Sequence, residues 1–252
     1  MNLFVRMICL VSCVCACMAM PVLAAHPKTL PTTPIKPVQV KQETTVTTPK
    51  QSTHATSSSD TVLREYDSAK DVAPKEPFPV VETNFTFHEP LLVRPKTDMI
   101  VVHHVGIPDG DTSAAAIHKA HLANGWAGIG YHYVIRKDGT IERGRPLATV
   151  GAHAEGQNYH TVGINVTGNF EKEIPTKQQI NSLETLLVFL CQTYHIQPDR
   201  TTIVGHRDVN STDCPGRNLY RLLPEIRDDV SLALAKEKLK HVRLLHLTYP
   251  RS

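Results

Sequence analysis

The 252-residue chain is short of several features that would fix its class at once. It has six cysteines, and four of them (Cys9, Cys13, Cys15 and Cys17) crowd into the N-terminal segment. Only Cys191 and Cys214 remain beyond it, in different surroundings, which excludes a disulfide scaffold. Formal net charge is +3, too small to argue for a nucleic-acid partner. No internal repeat is visible. The apolar run from Met7 to Met20 is shorter than the roughly 20 residues that a membrane-spanning helix needs.

That run carries a different message. Arg6 precedes it, Pro21 ends it, and Val22-Leu23-Ala24 offers small residues at a cleavage site. Residues 1–25 therefore read as an export signal. Leu10-Val11-Ser12-Cys13 is a competing lipidation sequence that would anchor the chain through Cys13. The expected location is periplasmic or extracellular, with no transmembrane segment once the signal is removed. Residues 26–84 are rich in Pro, Thr, Ser, Lys and Gln, with few large apolar side chains. Such a stretch buries too little surface to offset its ordering entropy, so a disordered linker is expected.

Residues 85–240 have the length of one ordinary domain, and residues 241–252 are expected to form a basic tail. The apolar run Met99–His104 predicts a buried strand. A helix is expected over Ser113–Asn124, with Asp111 and Thr112 as caps. A strand over Tyr131–Arg136 turns through Lys137-Asp138-Gly139-Thr140 into Ile141-Glu142-Arg143. Further on come a strand at Val162–Val166, an amphipathic helix at Thr176–Tyr194 and a strand at Thr202–Val204. A helical stretch over Gly216–Leu239 is broken near Pro224. This alternation predicts an α/β fold, a central mixed β-sheet flanked by helices. Cys191 lies in an apolar helical pattern and reads as a core thiol.

Cys214 follows His206 by eight positions in a loop punctuated by Gly, Asn and Pro, and His103 ends the first apolar run. Two imidazoles and one thiolate suit zinc, and three protein ligands leave a fourth position open. Adjacent strand residues face opposite sides, so only one of His103 and His104 can point at such an ion.

The segment Gly125-Trp126-Ala127-Gly128-Ile129-Gly130-Tyr131-His132-Tyr133 is the most specific. Taken with Val102-His103-His104, Gly151-Ala152-His153 and the His206–Cys214 loop, it resembles the zinc amidases of the peptidoglycan-recognition-protein family. The resemblance spans about residues 90–230. It implies one Zn2+ per chain on His103, His206 and Cys214, with His104 packing nearby. It implies that Tyr131 is catalytic and that Thr212 is its helper, at a place where members carry Lys or Thr. It places His132 and His153 along the substrate cleft. Asn158 either lines the cleft or shapes a turn. Tyr133 reads as core. His118 and His121, three apart on one helix, read as a solvated or cleft-edge face. The implied partner is peptidoglycan or its muropeptides, and the implied reaction is hydrolysis of the amide joining N-acetylmuramic acid to L-alanine. A monomer is expected. The alternative is a non-catalytic recognition module; such members typically lack the cysteine that Cys214 supplies here.

Overall fold

The computed structural model describes residues 63–107 and 110–248. The expected signal, the lipidation site at Cys13 and residues 26–62 of the expected linker lie outside the described residues. The elements are β1 (Met99–His104), α1 (Ala114–Ala123), β2 (Tyr133–Ile135), β3 (Ile141–Arg143) and β4 (Thr161–Val166), then α2 (Lys177–Tyr194), β5 (Ile203–Gly205), α3 (Arg217–Tyr220) and α4 (Leu223–Thr248). A 3-10 turn at His206–Asp208 follows β5 directly.

The five strands form one sheet in the order β3-β2-β4-β1-β5. Only β3 runs antiparallel; β1 is parallel to both β4 and β5, and β2 is parallel to β4. The mixed α/β sheet expected from the sequence is therefore present. Strand β1 is hydrogen-bonded on both edges and covered on both faces, which is why it reads as an unbroken apolar run. Ile100 and Val102 join Val162, Ile164 and Val166 in the main core with Leu183, Leu187 and Leu190 of α2 and Ile226 and Val230 of α4. Val134 faces the other way and packs with Ala114 and Ile117 of α1 and with Ile129.

Local chemistry sets the helix ends. Thr176 Oγ1 accepts from the Gln179 N–H at 3.1 Å, and Gln179 Oε1 accepts from the Thr176 N–H at 3.1 Å, a reciprocal cap for α2. Ser113 caps α1, accepting from the Ala116 N–H at 3.2 Å. The expected caps have other partners: Asp111 forms an ion pair with Arg136 at 2.9 Å, and the Thr112 carbonyl accepts from Thr167 Oγ1.

Two boundaries differ from expectation. Helix α4 starts at Leu223, carries Pro224 in its first turn where a missing N–H costs nothing, and continues to Thr248 through most of the expected tail. The disordered linker expected to reach residue 84 is also corrected, because residues 63–84 pack on the domain. Phe78 meets Phe189 edge-on with ring centroids 5.8 Å apart. Val81 pairs with the β3 edge, donating to Ile141 O at 2.8 Å and accepting from the Arg143 N–H at 2.9 Å. Glu76, 9% exposed, takes a 2.8 Å bond from Arg143 Nη2 and a short bond from the Tyr133 hydroxyl. A few large contacts to distant residues anchor this strap, and composition averages them away.

Candidate metal centre and its cleft

His103 is the next-to-last residue of β1, His206 opens the turn after β5, and Cys214 lies on the loop behind it. Because β1 and β5 are parallel neighbours, their carboxyl ends bring the two imidazoles together, with ring centroids 4.4 Å apart. One donor atom from each of His103, His206 and Cys214 falls within 4.8 Å of the others, close enough for the three to converge on one ion. His104 turns to the opposite face, where its Nδ1 accepts from the Phe170 N–H at 3.1 Å. Its backbone N–H donates to Cys214 Sγ at 3.3 Å.

Hydrogen bonds decide which nitrogen each ligand offers. Thr161 Oγ1 donates to Gln157 O at 2.9 Å, so it accepts from His153 Nε2 at 3.3 Å. His153 Nδ1 is then an acceptor, and it takes the proton of His103 Nε2 at 3.0 Å. The lone pair of His103 is left at Nδ1, the atom 3.7 Å from Cys214 Sγ. His206 is fixed in the same sense: Nε2 donates to Asn210 Oδ1 at 3.1 Å, and Asn210 Nδ2 donates to Glu155 O at 3.2 Å. Both imidazoles thus present Nδ1 to the centre with the outer nitrogen tied down. Burial, assisted by neighbouring histidines, holds His103 well below its ordinary range and keeps it neutral; burial holds His153 at about 3. The Cys214 thiol is pushed up to about 12 by burial, so only a cation at the trio makes it a thiolate ligand near neutral pH.

The ring of His153 occupies a slot made by two glycines. A Cβ on Gly151 would meet it at 2.5 Å, and one on Gly163 at 2.4 Å. Tyr131 is placed by Gly130, where a Cβ would stand 1.9 Å from Ala152 O. Its ring lies 5.0 Å from that of His103. Burial raises the phenol above its usual value, so Tyr131 stays protonated and can donate.

A cleft of about 760 Å³ opens over the centre, lined by Trp126, Tyr131, His153, Asn158, His206 and Thr212 among others. Thr212 accepts from the Cys214 N–H at 3.2 Å, which leaves its hydroxyl proton free to donate. Asn158 does both things its sequence context allowed: it lines the cleft, and its Oδ1 caps the loop by accepting from the N–H groups of His153 and Ala154 at 2.9 and 3.1 Å.

His132 departs from expectation. It is fully buried, and its ring nitrogens are engaged by protein: Nδ1 accepts from the Gly163 N–H at 3.0 Å, and Nε2 lies 2.9 Å from Thr149 O. It braces β2 against β4 and does not line the cleft. Of the solvated or cleft-edge face expected for His118 and His121, the cleft edge holds: the His121 ring lies 4.5 Å from that of Trp126 and 5.8 Å from that of Tyr131, both of which line the cleft, while His118 is buried. Their Nδ1 atoms accept from the N–H groups of Ile129 and Gly130, each at 3.1 Å, fixing the loop that carries Tyr131. Two arginines, which the sequence reading passed over, pin the same region. Arg145 Nε donates to Ile129 O at 2.7 Å, and Arg94 donates to Thr149 O and Leu147 O at 2.7 Å each. Asn210 was also missed; its place four residues after His206 in an Asx-rich loop was the available signal.

Fold and site together define a class: an α/β domain with a His–His–Cys centre at the carboxyl ends of parallel strands, open to a cleft. The model of the N-acetylmuramoyl-L-alanine amidase family matches residues 93–217. The endolysin of Escherichia phage T7 is 33% identical over 134 residues, covering 51% of this chain and 86% of that protein. Peptidoglycan-recognition protein LB of Drosophila melanogaster is 34% identical over 129 residues, 48% of this chain and 55% of that protein. Among solved structures, the N-acetylmuramoyl-L-alanine amidase LysC from Clostridium intestinale is 41% identical with a TM-score of 0.55, covering 60% of this chain and 97% of that one. Peptidoglycan recognition protein LE in complex with tracheal cytotoxin is 28% identical with a TM-score of 0.50, covering 56% and 90%. The chain belongs to the N-acetylmuramoyl-L-alanine amidase and peptidoglycan-recognition-protein family.

Proposed function

We propose that this chain is a zinc-dependent N-acetylmuramoyl-L-alanine amidase that cuts the bond between the lactyl group of N-acetylmuramic acid and the L-alanine of peptidoglycan stem peptides. The observation that carries the reading is the trio His103, His206 and Cys214 with Tyr131 and Thr212 at the same cleft. The donor set fits zinc: two neutral imidazole nitrogens and one sulfur, each with its outer atoms held by protein. Zinc in that position supplies Lewis acidity, polarising a carbonyl and making water acidic near neutral pH.

The chain's own residues do the rest. His153 keeps the His103 proton on Nε2 and so keeps Nδ1 available. Tyr131, protonated, donates toward the oxygen on which negative charge develops as the amide is attacked. Thr212 adds a second neutral donor. Neither carries charge, so the electrostatic load falls on the cation and on their alignment. The cleft takes the flanking sugar and peptide; protein LE, a relative of this chain, forms a complex with tracheal cytotoxin, a monomeric diaminopimelic acid-type peptidoglycan. A recognition module without catalysis is the competing reading, and the presence of both Cys214 and Tyr131 favours hydrolysis. We further infer action outside the cytoplasm, from the signal-like first 25 residues, and as a monomer.

Digestion of purified peptidoglycan tests the reading. Free stem peptides with new L-alanine amino termini should appear, the glycan strands should stay uncut, and chelation should stop release until zinc is restored. New reducing sugar ends, or cuts within the stem, would refute it; binding without products would favour the recognition module.

A further inference from the structure

We propose that the outward face of the second half of α4 is a docking surface for an anionic lipid bilayer, on which the helix lies in the plane of the headgroups. The helix carries two apolar stripes. Leu223, Ile226 and Val230 are buried and join the main core. Leu232, Ala235 and Leu239 repeat the same spacing further along. At about 100° per residue, Leu232 stands roughly 200° and Leu239 roughly 180° round the axis from Val230. The second stripe therefore points away from the domain on which the first one packs. Leu232 is 52% exposed and Leu239 62%, and every residue from Ala235 to Arg243 is exposed.

Charge is divided along the same helix. The packed part holds Glu225, Asp228 and Asp229 against Arg227; the exposed part holds Lys236, Lys238, Lys240 and Arg243 against Glu237. The helix dipole does not account for this. Its influence is confined to the last turn, and Lys236, Lys238 and Lys240 stand two turns or more before Thr248. Lys236 and Arg243 flank the outer stripe on one side and Lys238 flanks it on the other. Lys240 pairs with Glu237 at 3.0 Å, an exposed contact that costs little to exchange. An apolar stripe between rows of cations matches a bilayer whose phosphates meet the charges while the leucines enter below them. A soluble anionic polymer would give the leucines nothing to bury against. A second copy meeting this face with two-fold symmetry would bring like charges together. No helix among the described residues is long and apolar enough to cross a membrane, and the contact proposed for α4 is with the surface alone.

An indole placed on the outer stripe of the full chain tests this. The chain has one tryptophan, so Leu239→Trp in a Trp126→Phe background puts the single indole at the proposed contact. With vesicles of equal phosphatidylglycerol and phosphatidylcholine, its emission should move to shorter wavelength and be quenched by brominated acyl chains. Vesicles of phosphatidylcholine alone should do neither. The readout is local to α4, so the apolar N-terminal run cannot supply it. Lys236→Gln, Lys238→Gln and Arg243→Gln together should raise the lipid concentration for half-maximal quenching about 100-fold, roughly fivefold per charge. The melting temperature should hold, since all three positions are exposed. No quenching on anionic vesicles, equal quenching on neutral ones, or unchanged quenching in the triple variant would overturn the proposal. A blue shift without vesicles, accompanied by a dimer in sedimentation, would overturn it in favour of a second copy.

Discussion

Replacing His153 with Phe keeps a ring in the two-glycine slot and removes both nitrogens. The His103 Nε2–H, on a residue 1% exposed, then loses its acceptor. A buried donor left unpaired costs about 1–3 kcal/mol. His103 can escape that cost by moving its proton to Nδ1, but Nδ1 is the atom that faces the metal centre, so the cost falls on metal binding either way. At about 1.4 kcal/mol per factor of ten, zinc affinity should drop roughly 5- to 150-fold. Asn210→Ala should cost less, since His206 is half-buried and water can replace the lost acceptor. Competition with a chromophoric chelator measures both, with a thermal melt to show that each variant is folded. A folded His153→Phe variant with wild-type zinc affinity would refute the tautomer chain from Thr161 through His153 to His103.

Cys214→Ser should lose most bound zinc and activity, whereas Cys191→Ser, in the apolar core, should keep both; elemental analysis separates the two. Glu76→Gln should lower stability by about 1–3 kcal/mol at neutral pH, a fall of roughly 3–10 °C in melting temperature for a domain of this size. Burial alone would raise the Glu76 carboxyl, but the hydrogen bonds from Arg143 and Tyr133 outweigh it and hold the pKa below its ordinary value. The wild-type advantage is therefore complete above about pH 4.5, the range of a free glutamate, and disappears as pH falls through the lower folded value; equal pH dependence in both proteins would contradict this. A chain begun at Phe85 lacks both Glu76 and Phe78 and should melt lower still than the Glu76 variant.

Much of this was legible because it is periodic or local. Strand β1, the amphipathic helix α2 and the opposed faces of His103 and His104 follow from residue type and spacing. The trio itself was legible once one nitrogen donor ended a strand and a His–Cys pair shared one loop. The strap was not: Glu76 is fixed by Tyr133 and Arg143, 57 and 67 positions away, and no local pattern announces such pairs. His132 misled for the same reason. Its partners at Thr149 and Gly163 come from two other segments, and a histidine beside a cleft-lining tyrosine looks the same in sequence whether it faces the cleft or the core.

The slot around His153 ties three positions together in any history of substitution. Gly151 and Gly163 stand 12 residues apart and bear no chemistry, yet any side chain at either would overlap the ring between them. Replacing the ring with a small side chain first leaves a void beside the centre; replacing a glycine first expels the ring that holds the His103 proton. Of the single changes at these positions, a ring-for-ring exchange at 153 keeps the packing, and it gives up the acceptor for that proton, so the three residues form one unit. A designer who wishes to retune the centre must exchange them together.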